Sequence, residues 1–199
     1  MLKLSVAALA LISTSALAAP EIGAPAPAFE GAAASGETVR LSDYLGQKVV
    51  LEWTNNGCPF VQKHYNSGNM QATQEAAKAE GAVWISVISS APGMQGHVSA
   101  DEANALSESR GATPDEVVLD PSGDIGRLYA AKTTPHMFII DEEGVLRYDG
   151  AIDDRPSADP STIEGAKNYV LAALGDMDAG RPVESPATKP YGCSVKYAH

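Results

Sequence analysis

Cysteine is scarce in this sequence. Of 199 residues only two are cysteines, Cys58 and Cys193. Val61 stands where a dithiol motif of the CxxC type would place its second cysteine, so that motif is absent. No compact pair of the CxxxC type indicates a metal site either. Chemistry at Cys58 that needs a second thiol must therefore use a residue far away in the sequence.

Basic clusters and long apolar runs are also missing. Lysine and arginine number 14 against 25 aspartates and glutamates, which gives a formal net charge of -11. Because no basic cluster exists, we do not expect nucleic acid as a partner. We also see no internal repeat. A mature chain of about 180 residues with a normal apolar content predicts one domain with its own core.

The first residues have the pattern of a secretory signal peptide. Lys3 is the only charge before an apolar run over residues 4–12, and Ala16-Leu17-Ala18 follows. The run is shorter than the roughly 20 residues that span a membrane. We predict a signal over residues 1–19, a periplasmic location and no membrane contact after cleavage, the alternative being an uncleaved anchor. The periplasm is oxidising, so two cysteines can pair there.

Strand and helix patterns alternate along the rest of the chain. The predicted strands cover residues 37–41, 48–54, 82–90 and 116–120, and a hairpin covers 136–150. The predicted helices cover residues 59–80 with a kink near Gly68, 100–109, 125–131 and 162–174. This order predicts a three-layer α/β domain. We expect the domain to span residues 20–175 and a C-terminal tail over 176–199 to be either extended or packed across it.

Two motifs resemble the thioredoxin superfamily. "VVLEWTNNGCPF", residues 49–60, is similar to that fold's strand and active-site turn. "TTPHMFIIDEEGVLRYDG", residues 133–150, is similar to its Thr-Pro loop and following hairpin. The tail sequence "KPYGCSVKY" resembles secreted peroxiredoxin-like or redoxin-domain (AhpC/TSA-like) proteins. The resemblance covers roughly residues 24–175 and implies a central mixed sheet flanked by helices, with Pro135 in the cis form facing Cys58.

Cys58 is the candidate nucleophile. It lies between a predicted buried strand and a helix N-terminus, where Pro59 is a favourable first-turn residue. Unpaired backbone N–H groups and the helix dipole favour a thiolate at this position. A thiolate is the nucleophile in disulfide exchange and in peroxide reduction. The alternative is a small buried cysteine without chemistry.

Glu52 lies six residues before Cys58 in an otherwise apolar strand. Alternation places it on the same strand face as Val50 and Thr54. A carboxylate in such a strand is costly without a purpose or a partner. The resemblance to thioredoxins implies that it is a buried proton acceptor beneath the cysteines. A structural ion pair or a solvated strand end is the alternative.

Besides Pro59, four further residues are candidates for binding near the sulfur. Asn55 and Asn56 have amides that can hydrogen-bond near the thiolate, although turn chemistry explains them equally well. Thr134 and His136 flank Pro135 and are expected near the sulfur. His64 is predicted to be an exposed surface histidine. The charged residues 153–155 are predicted to form a polar turn, the alternative being part of a substrate rim.

Three functions are compatible with these residues. The first is a thiol–disulfide oxidoreductase in which Cys58 attacks and Cys193 resolves, acting on protein or small-molecule disulfides with a periplasmic thiol reductant and no cofactor. The same two cysteines could instead form a permanent structural disulfide. The second is a thiol peroxidase. Peroxiredoxins carry P-x-x-x-T-x-x-C, whereas Leu51 and Asn55 stand here at the proline and threonine positions, with Thr54 one residue off.

The third function is copper binding without catalysis. Besides the two cysteines, the soft or borderline ligands are His136 and, in the "GMQGH" loop, Met94 and His97. These residues are dispersed along the chain, so the sequence predicts no defined metal site.

Overall fold

A computed structural model describes residues 19–198. The predicted signal peptide, apart from its last residue, lies outside the described residues. None of the helices within residues 19–198 is long and apolar enough to cross a membrane.

Within residues 19–198, seven strands form one mixed sheet, as predicted for a thioredoxin fold. The strands are β1 Glu30–Ala33, β2 Thr38–Arg40, β3 Lys48–Trp53, β4 Ala82–Ile88, β5 Glu116–Leu119, β7 His136–Ile140 and β8 Leu146–Gly150. Their spatial order is β2-β1-β5-β4-β3-β7-β8; β3, β4 and β5 are parallel, and the other neighbours are antiparallel. A separate antiparallel pair joins β6 Thr133–Thr134 to β9 Cys193–Ser194.

Five α-helices cover the sheet in the described part of the chain. They are α1 Pro59–Asn66, α2 Asn69–Ala79, α3 Ala100–Ser109, α4 Asp124–Leu128 and α5 Tyr169–Asp178. The predicted kink is a break at Gly68, whose positive φ of 77° separates α1 from α2. The predicted bounds of α3 are confirmed, because Ser99 and Glu102 form a capping box at its start.

The central strand β3 separates two layers of core. Its residues Leu51 and Trp53 pack with Tyr129 and Phe138 on one side. Val50 packs on the other side in a cluster that includes Cys58 and residues of α1, α2 and α5. Both faces of β3 are therefore buried, as the apolar run predicts. Cys58 enters the core beside the strand that precedes it.

The predicted helix over residues 162–174 is wrong at both ends. A 3-10 turn covers Pro160–Thr162, and Gly165 has a positive φ of 72° that interrupts helical geometry. The helix begins only after Asn168, whose side chain accepts a hydrogen bond from the Leu171 N–H. It continues to Asp178, so the predicted domain boundary at residue 175 falls inside α5.

The tail packs across the domain, one of the two predicted alternatives. Thr188 N–H donates to Asp149 O at 3.0 Å, and Asp149 N–H donates to Pro186 O at 3.0 Å, so the tail runs beside β8. Further on, Val195 N–H donates to Lys132 O at 3.1 Å. These contacts carry Cys193 over the edge of the sheet to the N-terminus of α1.

Candidate active site

Cys58 is the N-cap residue of α1 and is completely buried. The turn before it is closed by Asn55, whose carbonyl accepts from the Cys58 N–H at 3.0 Å and whose Oδ1 accepts from the Gly57 N–H at 2.9 Å. Pro59 takes the first helical position, where its missing N–H costs nothing. The sequence therefore places the sulfur at a helix N-terminus, as predicted.

The loop before β7 closes over Cys58. The Thr134–Pro135 peptide bond is cis, as the resemblance implied. The Cys58 thiol donates to Thr134 O at 3.1 Å. The Thr134 hydroxyl is buried and has no hydrogen-bond partner among residues 19–198. It is therefore free to donate to a Cys58 thiolate.

The second thiol reaches the site on β9. Cys193 pairs with Thr134 in the β6–β9 ladder. The backbones approach so closely that a Cβ on Gly192 would lie 2.1 Å from Thr134 O. Cys58 and Cys193 are consequently neighbours in the same apolar cluster, and both are free thiols. The predicted Cys58–Cys193 disulfide, whether permanent or catalytic, is not formed in this structure.

The two thiols differ in acidity. Burial raises the pKa of Cys58, but hydrogen bonds that the Cys193 and Thr134 side chains can donate to the thiolate, together with backbone N–H groups, outweigh burial and leave the pKa below its ordinary value of 9.0. The Cys58 side chain forms no capping hydrogen bond with the first turn of α1. Even so, the N–H groups of Val61 and Cys193 act on the sulfur in the same direction. Burial, followed by the neighbouring Cys58 sulfur, raises the pKa of Cys193 to about 11. Cys58 is thus the thiol that ionises first.

Glu52 is fully buried in the middle of β3. Its carboxylate accepts hydrogen bonds from Tyr65 Oη at 2.9 and 3.0 Å, from Trp84 Nε1 at 3.0 Å and from Ser86 Oγ at 3.1 Å. Burial and the Glu52 charge raise the pKa of Tyr65 well above 10.0, so its hydroxyl stays a donor. The alternative of a solvated strand end is therefore wrong. The carboxylate is held by neutral donors on the strand face that also bears Val50.

The two predicted asparagines shape the turn. Asn55 is buried, and its amide nitrogen donates to Gln95 O at 3.2 Å, which ties the turn to the loop after β4. The Asn56 carbonyl accepts from Gln62 Nε2 at 2.9 Å. Neither amide is hydrogen-bonded to a cysteine sulfur within residues 19–198. The turn interpretation therefore accounts for their contacts.

His136 is turned away from Cys58, contrary to the expectation that it lies near the sulfur. Its Nδ1 accepts from the Lys132 N–H at 3.2 Å, and its Nε2 lies 2.7 Å from Asp149 Oδ1. Its ring packs against Phe138 at 4.4 Å between centroids, on the opposite side of the sheet from the cluster that holds Cys58. Side chains alternate along β7, so the His136 ring lies on the face of the sheet away from Cys58. Both of its ring nitrogens already have hydrogen-bond partners there.

The copper-ligand set is not brought together. Within the described part of the chain, no group of three or more His, Cys, Asp or Glu side chains is arranged to hold a metal ion. His97 Nδ1 is 3.1 Å from Ser90 O. The structure provides no observation in favour of the copper alternative.

Two predictions about polar residues are wrong. His64, expected to be exposed, is completely buried, because both the core and the tail cover α1. Asp153, expected in a polar turn, is also buried and lies 3.5 Å from Lys63 Nζ. Tyr191 of the tail contacts both His64 and Asp153. Lys63 and Tyr191 were not among the residues that the sequence indicated for the site.

Comparisons with known proteins agree with this geometry. The sequence model described as the AhpC/TSA family matches residues 22–149. An uncharacterized conserved protein from Geobacillus kaustophilus is similar over 89% of this chain and 93% of its own, with 25% identity and a TM-score of 0.74. A protein described as the thiol:disulfide interchange protein DsbE from Chlorobium tepidum is 28% identical, with a TM-score of 0.54 over 79% of this chain and 100% of its own.

A peroxidoxin, BcpB from Mycobacterium tuberculosis, shares the fold at 16% identity and a TM-score of 0.57, over 79% of this chain and 98% of its own. No curated protein sequence matches the chain. The family match and the structural neighbours support a thiol-based redox role for the site that holds Cys58 and Cys193.

Proposed function

The chain belongs to the AhpC/TSA family, and from this premise we propose that it is a periplasmic thiol–disulfide oxidoreductase with Cys58 as nucleophile and Cys193 as resolving thiol. One observation carries the proposal. Two free thiols of unequal acidity lie side by side at the cis-proline loop, with the more acidic one at a helix N-terminus.

The reaction has two exchange steps. In the first, the Cys58 thiolate attacks one sulfur of a substrate disulfide, forms a mixed disulfide and expels the other substrate thiolate. In the second, Cys193 loses its proton and attacks the Cys58 sulfur, which expels the remaining substrate thiolate. The substrate gains two electrons, and the protein is left with a Cys58–Cys193 disulfide. A periplasmic thiol reductant reverses these steps to restore both thiols.

The coupling between the thiols assists the second step. Apart from burial, the causes of the raised Cys193 pKa are a hydrogen bond to Cys58 and the charge of its sulfur. Both vanish once Cys58 is bonded to substrate, so the Cys193 pKa falls when its thiolate is needed. Because Cys58 is completely covered, β9 must separate from β6 before the first step.

Disulfide exchange is favoured over peroxide reduction by what stands at the peroxidase-motif positions. Asn55 takes the threonine position, and both its side-chain oxygen and its nitrogen are used to build the turn. The nearest threonine, Thr54, stands one residue away from the motif's threonine position. Its hydroxyl is buried and has no hydrogen-bond partner in residues 19–198.

A side-by-side assay on purified protein tests the proposal. We expect dithiothreitol-driven reduction of a protein disulfide to depend on Cys58, with Cys58→Ser inactive, and to exceed peroxide consumption under the same conditions. Faster peroxide consumption by the wild type would replace the oxidoreductase with the peroxidase. Unchanged disulfide reduction in Cys58→Ser would remove Cys58 as the nucleophile.

A further inference from the structure

A buried ion pair lies against the helix that begins at Cys58. The ammonium of Lys63 on α1 and the carboxylate of Asp153, in the loop after β8, are 3.5 Å apart, and both side chains are almost completely buried. Burying two charges has a desolvation cost that their attraction often fails to repay, so such a pair is weak support for stability. The reaction steps described above do not use either residue.

Asp153 is held in a fixed orientation. Its Oδ1 accepts from the Arg155 N–H at 2.9 Å, and Lys63 Nζ also donates to Arg155 O at 3.1 Å. Two polar contacts of Lys63, with the Asp153 carboxylate and with Arg155 O, therefore fasten the loop to α1. One further donor reaches the same carboxylate oxygen, the hydroxyl of Tyr191.

Tyr191 belongs to the tail and sits two residues before Cys193. Its hydroxyl donates to Asp153 Oδ1 and lies 3.2 Å from His64 Nε2. Because Asn69 Nδ2 donates to His64 Nδ1 at 2.8 Å, the His64 proton is on Nε2 and is donated to the tyrosine oxygen. The hydroxyl therefore accepts from α1 and donates to Asp153.

The tyrosine ring is enclosed as well as hydrogen-bonded. Phe60 packs edge-on against it at 5.9 Å between centroids, and Lys63 Nζ lies 5.7 Å from the ring centroid. Both contacts come from α1, within five residues of Cys58. The tail segment next to Cys193 is therefore fastened directly to the helix that Cys58 begins.

The β9 strand alone is a weak attachment. It contains two residues, and it pairs with a strand of the same length. Yet the second exchange step requires the Cys193 sulfur to return to Cys58 within bonding distance after the tail has lifted. A side-chain anchor close to Cys193 supplies the positioning that a two-residue ladder lacks.

We propose that Asp153 is a positioning residue that holds Cys193 against Cys58 through the Tyr191 hydroxyl, with Lys63 as the counter-charge that keeps Asp153 in place. This inference rests on the proposed function, because it assigns the anchor to the resolving step. The predicted consequence is a split between the two exchange steps. Loss of the anchor slows resolution by Cys193 and does not slow attack by Cys58.

Tyr191→Phe is the first test, since it removes the hydroxyl and keeps the ring against Phe60. Tyr169→Phe is the matched control: its ring stacks on Tyr148 at 6.5 Å, and no hydrogen bond in residues 19–198 involves its hydroxyl. Reduced protein is mixed with oxidised glutathione, quenched with acid and analysed by mass spectrometry. We expect closure of the Cys58–Cys193 disulfide to slow at least about tenfold in Tyr191→Phe, as for a lost charge-assisted hydrogen bond. The control should match the wild type.

Two further measurements separate positioning from general structural damage. In a Cys193→Ser background, iodoacetamide reports access to Cys58, and oxidised glutathione reports its attack, which forms the Cys58–glutathione mixed disulfide and releases one glutathione thiolate. Relative to the Cys193→Ser parent, Tyr191→Phe should raise the rate of Cys58 alkylation. The rate of mixed-disulfide formation should be equal or higher, whereas damage to the active site would lower it. Asp153→Asn should show the same split. If that variant fails to fold, Tyr191→Phe still decides.

Three outcomes overturn the proposal. Closure in Tyr191→Phe within twofold of the wild type would show that the hydroxyl does not position Cys193. An equal slowing of both exchange steps would assign the effect to the fold. If wild-type protein forms no Cys58–Cys193 disulfide at all, the proposed function fails. A raised alkylation rate in Tyr191→Phe would then leave Tyr191 as a structural anchor only.

Discussion

Thr134 and Cys193 face each other across an antiparallel ladder of two residues. The Thr134 carbonyl also accepts a hydrogen bond from the Cys58 thiol. One residue of the cis-proline loop therefore contacts both halves of the thiol pair, and this explains how cysteines so distant in sequence become neighbours.

Gly192 is the first place to test this arrangement. It has a φ of 139°, and a Cβ there would lie 2.1 Å from Thr134 O. We expect Gly192→Ala to push β9 from β6 and to slow Cys58–Cys193 disulfide formation. Strain at such a position also costs about 1–3 kcal/mol of folding free energy. Quenched-flow oxidation and urea unfolding would measure the two effects.

Gly175→Ala provides the control, because nothing lies within 4 Å of a Cβ at that helical position. Oxidation as fast in Gly192→Ala as in this control would contradict the close approach of the two backbones.

A second prediction concerns the acidity of Cys58. Burial raises the pKa of Cys58, and the hydrogen bond from the Cys193 side chain is the largest of the effects that lower it. The rate of iodoacetamide alkylation against pH should therefore have a midpoint below 9.0 in wild-type protein, and the midpoint should rise in Cys193→Ala. Cys193→Ser keeps a hydroxyl donor and should fall between them. A midpoint that does not move in Cys193→Ala would show that the second thiol leaves the Cys58 pKa unchanged.

The parts of the site that were predictable from sequence are local. Cys58 and Pro59 follow a buried strand, and Pro135 precedes a hairpin with a Gly-containing loop, so each position carries its own signal. The strand β1 was missed because its sequence, EGAA, has no β-branched or aromatic residue. It is a strand because β2 and β5 supply its hydrogen bonds.

The contacts between the tail and α1 were not predictable in the same way. Asp153 is followed by two more charged residues, a composition that usually indicates a solvated turn. Its burial depends on Lys63 and Tyr191, which lie far away in the sequence. The exposed position predicted for His64 assumed that α1 is covered on one face only. Long-range partners of this kind leave no periodic pattern in the sequence.

Acid stability should depend on His64. Burial, partly opposed by Asp153, lowers the pKa of His64 from 6.5 to about 4. The unfolded chain therefore binds a proton at a higher pH than the folded one. The contribution of neutral, buried His64 to the free energy of unfolding is therefore complete above pH 6.5 and is lost as the pH falls toward 4. It amounts to roughly 3 kcal/mol. Urea unfolding from pH 7.5 to 4 should show a smaller loss of stability in His64→Gln, whose amide is polar but does not titrate in this range. Identical pH slopes would show that His64 titrates normally.

The last prediction concerns Glu52, whose carboxylate accepts from Tyr65, Trp84 and Ser86 in the interior. If Glu52 accepts a proton during exchange, Glu52→Gln should slow disulfide exchange chiefly near neutral pH, and the deficit should shrink at alkaline pH, where thiols ionise without help. The amide keeps the shape of the side chain but presents an N–H₂ group to neighbouring donors, so we also expect a loss of about 1–3 kcal/mol in stability. Thr54→Val is the control for disturbance of this strand face, because it removes a buried hydroxyl that has no partner within residues 19–198. Exchange rates from pH 6 to 9 and thermal unfolding of both variants separate the two roles: a Glu52→Gln protein that melts early but exchanges like Thr54→Val at every pH would make Glu52 a structural residue.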